Sequence, residues 1–179
     1  MQEEESLIYR IQKGDNEAFN QIYESYFDRI YRYIVFKTGN RNDAEDLTQQ
    51  VFIKAFKAIP KYRWKGLPLS AWLFRIAHNQ IVDYLRKETK RSTLRLNEVM
   101  ATSNSNPVTT VERNFDAQSL NMAVKQLTKA QQQVLSLRFA GEMSILEVAK
   151  VMGKKPGAIK ALQHSAIVSL RKKLSVVKY

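Results

Sequence analysis

The stretch SILEVAKVMGKKPGAIKALQHSAIVSLRKKL, residues 144 to 174, reads as two helices around a hinge. Ser144 and Glu147 stand in the spacing of a capping box, which satisfies two free backbone N–H groups at a helix start. Ile145, Val148, Ala149 and Met152 then give a short helix its apolar face. Gly153 permits the tight turn that follows, because without a Cβ it enters the left-handed region at little cost. Pro156 suits the first position of the next helix, where its missing N–H would be unpaired anyway. Beyond it Ile159, Leu162, Ala166, Ile167, Leu170 and Leu174 recur at helical spacing. A short helix, a glycine turn and a longer basic helix predict a helix-turn-helix, whose second helix enters a DNA major groove with its amino-terminal end toward the base edges. The residues expected on that exposed end are Lys154, Lys155, Gly157, Lys160, Ala161 and His164, with Arg171 further along. A helical hairpin bearing lysines for solubility is the plainer alternative.

Just upstream, Thr128 and Gln131 repeat the capping-box spacing, and Val134, Leu135, Leu137 and Phe139 supply the apolar content of a preceding helix. Before that the pattern fails. NEVMATSNSNPVTTVERN, residues 97 to 114, is polar, interrupted by Pro107 and without a helical apolar period, so it reads as an exposed linker. The fold class expected is all-α, with two small helical domains joined by a flexible linker: residues 1–92, a linker at 93–117, and a helix-turn-helix domain at 118–179.

Charge follows the same division. Lys and Arg against Asp and Glu number 8 and 10 in residues 1–59, 9 and 2 in 60–95, 1 and 3 in 96–117, and 11 and 2 in 118–179. The formal net charge of +12 is therefore concentrated on two surfaces either side of a weakly acidic segment, which favours a polyanionic partner. Two tethered basic domains can engage two separated stretches of one polymer. The chain has no cysteine, which excludes disulfides and thiolate metal sites. It has no basic leader followed by an apolar run and no apolar stretch near the ~20 residues that span a bilayer, so a soluble, cytoplasmic protein without membrane insertion is expected.

In the first domain Asp15 is a candidate N-cap for a helix buried through Phe19, Ile22, Tyr26, Ile30, Tyr33 and Ile34. After TGNRND, with Asn42 or Asp43 as cap, comes DAEDLTQQVFIKAF, residues 43 to 56, whose Ala44, Leu47, Val51, Ala55 and Ala58 make one apolar face. On the other side Asp46, Gln49, Gln50 and Ile53 fall at i, i+3, i+4 and i+7. Acids in a first turn suit the helix dipole, yet that does not account for glutamines and an isoleucine continuing the face. A protein contact does, and DNA contact does not, because carboxylates repel phosphates. A metal at Asp43, Glu45 and Asp46 is disfavoured, since these positions do not share a direction and no histidine completes a set.

Past Pro60 the composition changes. Lys61, Arg63 and Lys65 interleave with Tyr62 and Trp64 on a loop, a combination that neutralises phosphates while offering rings to unstacked bases. Ser70 is the expected cap of the next helix. Leu73, Ile76, Ala77, Ile81, Tyr84 and Leu85 form its packing face, and Arg75, Asn79, Val82, Arg86 and Lys87 lie outside it. Loop and outer face together make a basic, aromatic-edged track suited to single-stranded DNA. His78, with no second ligand nearby, reads as a polar or partly buried imidazole.

Four segments in this order, GDNEAFNQIYESYFDRIYRY, GNRNDAEDLTQQVFIKAFKAI, LSAWLFRIAHNQIVDYLR and the 127–174 stretch, resemble the extracytoplasmic-function (ECF) group of the bacterial RNA polymerase sigma-70 family across roughly residues 13–174. The resemblance implies that Asp46, Gln49, Gln50 and Ile53 meet core RNA polymerase. It further implies that the 61–68 loop with Arg75, Asn79, Arg86 and Lys87 captures the single strand of the minus-ten element. The last helix would read the minus-thirty-five element in duplex form. A restraining anti-sigma factor is a further partner known for the family, and no cofactor is implied. Gln50 stands where the family usually has glutamate, Lys155 replaces a small hydroxyl residue, and Ala158 replaces a common threonine. No Ser/His/Asp, metal-ligand or phosphate-loop arrangement assigns the chain a catalytic role. A repressor or activator would account for residues 118–174 but not for the acidic-amide face or the basic-aromatic loop. A membrane-associated scaffold would account only for the charge.

Overall fold

A computed structural model describes residues 2–63, 68–98, 119–120 and 122–177, which form helices joined by turns and short irregular connections. Helix α1 spans Gln2–Gln12, α2 Asn16–Thr38, α3 Arg41–Ala58 and α4 Leu69–Glu98, with a short 3-10 turn at Ile59–Lys61. In the second half α5 spans Lys129–Leu135, α6 Ile145–Met152 and α7 Pro156–Val177.

The ends of these helices follow local chemistry. Asp15 caps α2 by accepting from the N–H groups of Glu17 and Ala18, and Arg10 of α1 holds the same carboxylate at 2.7 Å. That arginine's hydrogen bond, with further bonds from the Ala18 and Glu17 backbone, keeps Asp15 below its ordinary carboxylate value. The cap of α3 is Asn40, which accepts from Asn42 and Asp43 N–H, so the expected caps Asn42 and Asp43 are instead the donors in the first turn. Ser70 is not a cap either: α4 already begins at Leu69, whose N–H donates to Glu4 Oε2 of α1 at 3.4 Å. Burial of Ser70 turns its hydroxyl elsewhere, as described below. Helix α1, which the sequence reading did not separate from the terminus, thus supplies an acceptor for the free start of α4.

Helices α2, α3 and α4 pack around Ile22, Ile30, Tyr33, Ile34, Val51, Ala55, Ile59, Leu73, Phe74 and Ile81, all of them at most 1% exposed. Each buried Ile or Leu here contributes ~1.5–3 kcal/mol of transfer free energy. Phe74, absent from the expected packing face, meets Tyr33 edge-on at 5.3 Å. Ala58 and Leu85, expected inside, are exposed.

In the second half both capping boxes form, Thr128 with Gln131 and Ser144 with Glu147. Gly153 closes α6 with φ 62°, and Pro156 opens α7. Between α5 and α6 the chain widens into a π-type turn at Ser136–Ala140 rather than continuing a regular helix. That turn buries Leu137 and leaves Phe139 59% exposed.

The two halves touch. Helix α2 and α4 lie against the π-type turn and α6, and buried residues of both halves belong to one continuous apolar cluster. Helix α4 extends to Glu98, so the first residues of the expected linker are helical; the remainder, 99–117, lies outside the described residues.

Candidate partner and nucleic-acid interfaces

Three surfaces carry the predicted residues. On α3, Asp46, Gln49, Gln50 and Ile53 are all exposed and share one face, with Ile53 54% exposed. The face is longer than expected. Phe56, one turn beyond Ile53, keeps 43% of its surface exposed while its ring rests edge-on against Phe19 at 5.0 Å. Asp43 is turned away from this patch, accepting the Tyr84 hydroxyl at 2.7 Å. That hydrogen bond is the chief reason the Tyr84 phenol is pushed up to about 12. Among the described residues no three His, Cys, Asp or Glu side chains come together to hold a metal ion.

The second surface is a groove of about 440 Å³ between the 3-10 turn and the start of α4. Lys61, Tyr62, Arg63 and Arg75 line it, together with Trp72, whose ring lies 4.7 Å from that of Tyr62. Its shape is set from below. Gln12 Nε2 donates to the carbonyls of Ile59 at 3.1 Å and Tyr62 at 2.7 Å, tying the outgoing loop to the end of α1. Burial, helped by the Glu4 charge, raises the Tyr62 phenol above its ordinary value, so it remains a neutral ring with a donor hydroxyl. Trp64 and Lys65 lie outside the described residues. Asn79 continues the exposed side of α4 from Arg75. Lys87 does not join the groove: it borders a separate hollow with Asp43, Tyr84, Glu88 and Lys90, nearer the start of α3. Arg86 lies one residue before it, exposed and paired with Asp83 at 3.4 Å. His78 is half-buried, its Nδ1 3.4 Å from the Tyr33 hydroxyl; burial and then Lys37 lower it, favouring a neutral imidazole.

The third surface is the start of α7. Lys154, Lys155, Gly157, Lys160, Ala161 and His164 are exposed there, while Ile159 and Ala166 are buried against the rest of the half. Lys160 and His164 border a shallow hollow with Arg138 and Gln163, and Arg138 donates to Gln163 Oε1 at 3.1 Å and to the Met143 carbonyl. The helix is fastened from behind by Gln131, which donates to Ser165 Oγ at 3.1 Å. Arg171 is exposed but sits roughly 22 Å along the axis from Pro156 at 1.5 Å per residue, too far for the same groove contact.

Comparison with known proteins shows which family the chain belongs to. Residues 22–91 match the family described as Sigma-70 region 2, and residues 123–172 match Sigma-70, region 4. Over 170 residues the chain is 35% identical to the ECF RNA polymerase sigma factor BldN of Streptomyces coelicolor, covering 94% of this chain and 64% of BldN. It is 28% identical to the ECF RNA polymerase sigma factor SigW of Bacillus subtilis, covering 93% of this chain and 94% of SigW.

The chain belongs to the ECF sigma factors.

The fold agrees with that assignment. The solved structure of CnrH in complex with the cytosolic domain of CnrY matches with a TM-score of 0.71 at 20% identity, over 95% of this chain and 96% of that one. Region 2 corresponds to α2–α4 and region 4 to α5–α7. As a sigma factor the chain binds core RNA polymerase and recognises promoter elements, and it catalyses no reaction itself. No helix among the described residues is long and apolar enough to cross a membrane.

Proposed function

We propose that this sigma factor divides its work among the three surfaces. The α3 face of Asp46, Gln49, Gln50 and Ile53, extended by Phe56, docks on core polymerase. The groove of Lys61, Tyr62, Arg63 and Arg75, with Asn79 beside it on α4, receives the non-template strand of the minus-ten element once it is unpaired, and Trp64 and Lys65, next in the sequence, are further contacts. Arg86 and Lys87 hold phosphates beyond it. The start of α7 reads the minus-thirty-five duplex through Lys154, Lys155, Gly157, Lys160, Ala161 and His164, while Arg171 touches the DNA backbone. Residues 1–92 and 118–179 are the two working domains and 93–117 the connection between them.

The observation that carries this reading is the groove. Two aromatic rings, Tyr62 and Trp72, and four cationic side chains, Lys61, Arg63, Arg75 and Lys150, surround a hollow of about 440 Å³ on a segment anchored by Gln12. Such a site binds a base by stacking and its phosphates by charge, and each stacked base contributes ~1–3 kcal/mol. Extruding a base costs a few kcal/mol, so contacts available only to an open strand offset that cost and favour melting. An anti-sigma factor that covers the α3 face or the groove is the restraining partner this reading allows, and the protein acts in the cytoplasm. Run-off transcription with purified core polymerase and a promoter library tests the proposal. Initiation from a subset sharing two separated elements supports it, and an inability to initiate from any member excludes it.

A further inference from the structure

We propose that α1 is a brace for the minus-ten groove, in which Glu4 and Gln12 are positioning residues that hold the two walls at the spacing an unpaired strand enters. The proposal rests on the sigma-factor reading above, and its structural content can be tested apart from it.

Glu4, Ile8, Ile11 and Gln12 fall at i, i+4, i+7 and i+8, along one side of α1. Ile8 and Ile11 are buried, which seats the helix against α2 and the 3-10 turn. Arg10 adds an ion pair at 2.7 Å to Asp15, the cap of α2. These contacts alone would dock the helix. The polar residues at the two ends of the same side go further. Gln12 directs its amide nitrogen at the Ile59 and Tyr62 carbonyls, 3.1 and 2.7 Å away, on the wall that presents Lys61, Tyr62 and Arg63. Glu4 stands eight residues earlier, about 12 Å along the helix axis. Its Oε2 accepts Leu69 N–H at 3.4 Å, where the opposite wall of Trp72 and Arg75 begins. Its Oε1 accepts the Tyr26 hydroxyl at 2.7 Å, which fixes the carboxylate on α2. Both positioning residues precede residue 22, outside the stretch matched to Sigma-70 region 2.

Gln12 is exposed, and a hydrogen bond made at the surface replaces one to water with little net gain in stability. What it fixes is direction, because the Tyr62 backbone sets where that ring meets Trp72, 4.7 Å away. Leu69 differs in being fully buried. Its N–H is one of the free donors at the start of α4, and Glu4 gives it an acceptor whose charge suits that helix end. The same charge reaches Tyr62, where it adds to burial in raising the phenol. Walls ordered before the strand arrives need not be ordered by its binding, so stacking and phosphate contacts are left to hold the open strand.

The test uses the full chain. Promoter opening with core polymerase is followed through a fluorescent base analogue in the minus-ten element, and amide hydrogen exchange is measured on the free protein. Gln12→Glu keeps the size of the side chain but turns an oxygen toward two carbonyls, and Glu4→Ala removes both acceptors. Each should slow opening roughly three- to tenfold. Exchange should quicken at residues 59–63 in Gln12→Glu and at 69–72 in Glu4→Ala. Glu4→Gln, which retains an oxygen for Leu69 N–H, should lose less than Glu4→Ala. Core affinity and transcription from a pre-melted template should stay within about twofold. Gln12→Glu decides the matter should Glu4→Ala lose helicity by circular dichroism. The brace is overturned by unchanged exchange at both walls or by unchanged opening in folded variants. It is overturned equally by core affinity and pre-melted transcription falling in step with opening, as a general loss of stability would produce. Should the unaltered protein open no promoter, the sigma-factor reading fails; quicker exchange at both walls would then still support the brace, and unchanged exchange would remove it.

Discussion

The side chain of Gln12 donates to the carbonyl of Tyr62 at 2.7 Å, joining the end of α1 to the loop that carries the basic groove. A helix outside the groove thereby fixes how Lys61, Tyr62 and Arg63 enter it. Gln12→Ala removes this bond and the one to Ile59, at about 0.5–1.5 kcal/mol of net stability each. Promoter opening, followed by a fluorescent base analogue in the minus-ten element, should slow several-fold while affinity for core polymerase stays unchanged. A matching fall in core affinity would mean that Gln12 supports the whole first half rather than the loop.

Docking on the polymerase should depend on the α3 face. Asp46→Lys with Gln49→Lys, both exposed and outside the core, should weaken core binding by about 1–2 kcal/mol with no loss of helicity. Fluorescence anisotropy against core polymerase measures this, with circular dichroism as the control. Phe56→Ala should weaken binding too, but with some loss of stability, because that ring also packs on Phe19.

Arg63 and Arg75 are assigned to phosphates of a single strand. Replacing both with alanine should depress transcription from duplex promoters more than from a pre-melted template. It should also lower the salt dependence of single-strand binding by roughly 0.7 units of slope per lost contact. An unchanged slope would show that neither guanidinium touches the strand.

Lys160 and His164, four residues apart on α7, face the same way. Alanine at both should cost ~1–3 kcal/mol per lost base contact, and only on promoters with an intact minus-thirty-five element. Alanine at Arg171 and Lys172 should instead weaken all sequences alike and reduce the slope by roughly 0.9 per phosphate contact. Lys173 is a poorer choice for that comparison because its amine already donates to Gln126 at 3.1 Å.

What the sequence made legible was local. Both capping boxes in the second half, the left-handed Gly153 and the Pro156 start depend on residues within a few positions, and the helix-turn-helix could be read from them. The exposed stripe on α3 followed from periodicity in the same way. Partners distant in the chain were not legible. Glu4 meets Leu69 and Tyr26, Gln12 meets Tyr62, and Ser70 meets Glu147, across separations that no spacing rule encodes. Ser70 looked like a cap because serine favours caps, yet a carboxylate from the other half is its acceptor. Trp72 was missed because its neighbours on the helix pointed to packing, whereas the Tyr62 ring draws it to the groove. The π-type turn was read as plain helix because its apolar residues fit either geometry.

On the reading proposed above, one chain docks on the polymerase through α3 and opens promoters through the groove beside it. Run-off transcription with purified core polymerase tests it most directly, on a duplex promoter and its pre-melted counterpart, with the unaltered protein, the Asp46→Lys, Gln49→Lys variant and the Arg63→Ala, Arg75→Ala variant. Transcript is expected from both templates with the unaltered protein, little from either with the α3 variant, and selective recovery on the pre-melted template with the groove variant. Equal activity of all three proteins on the duplex template would contradict it.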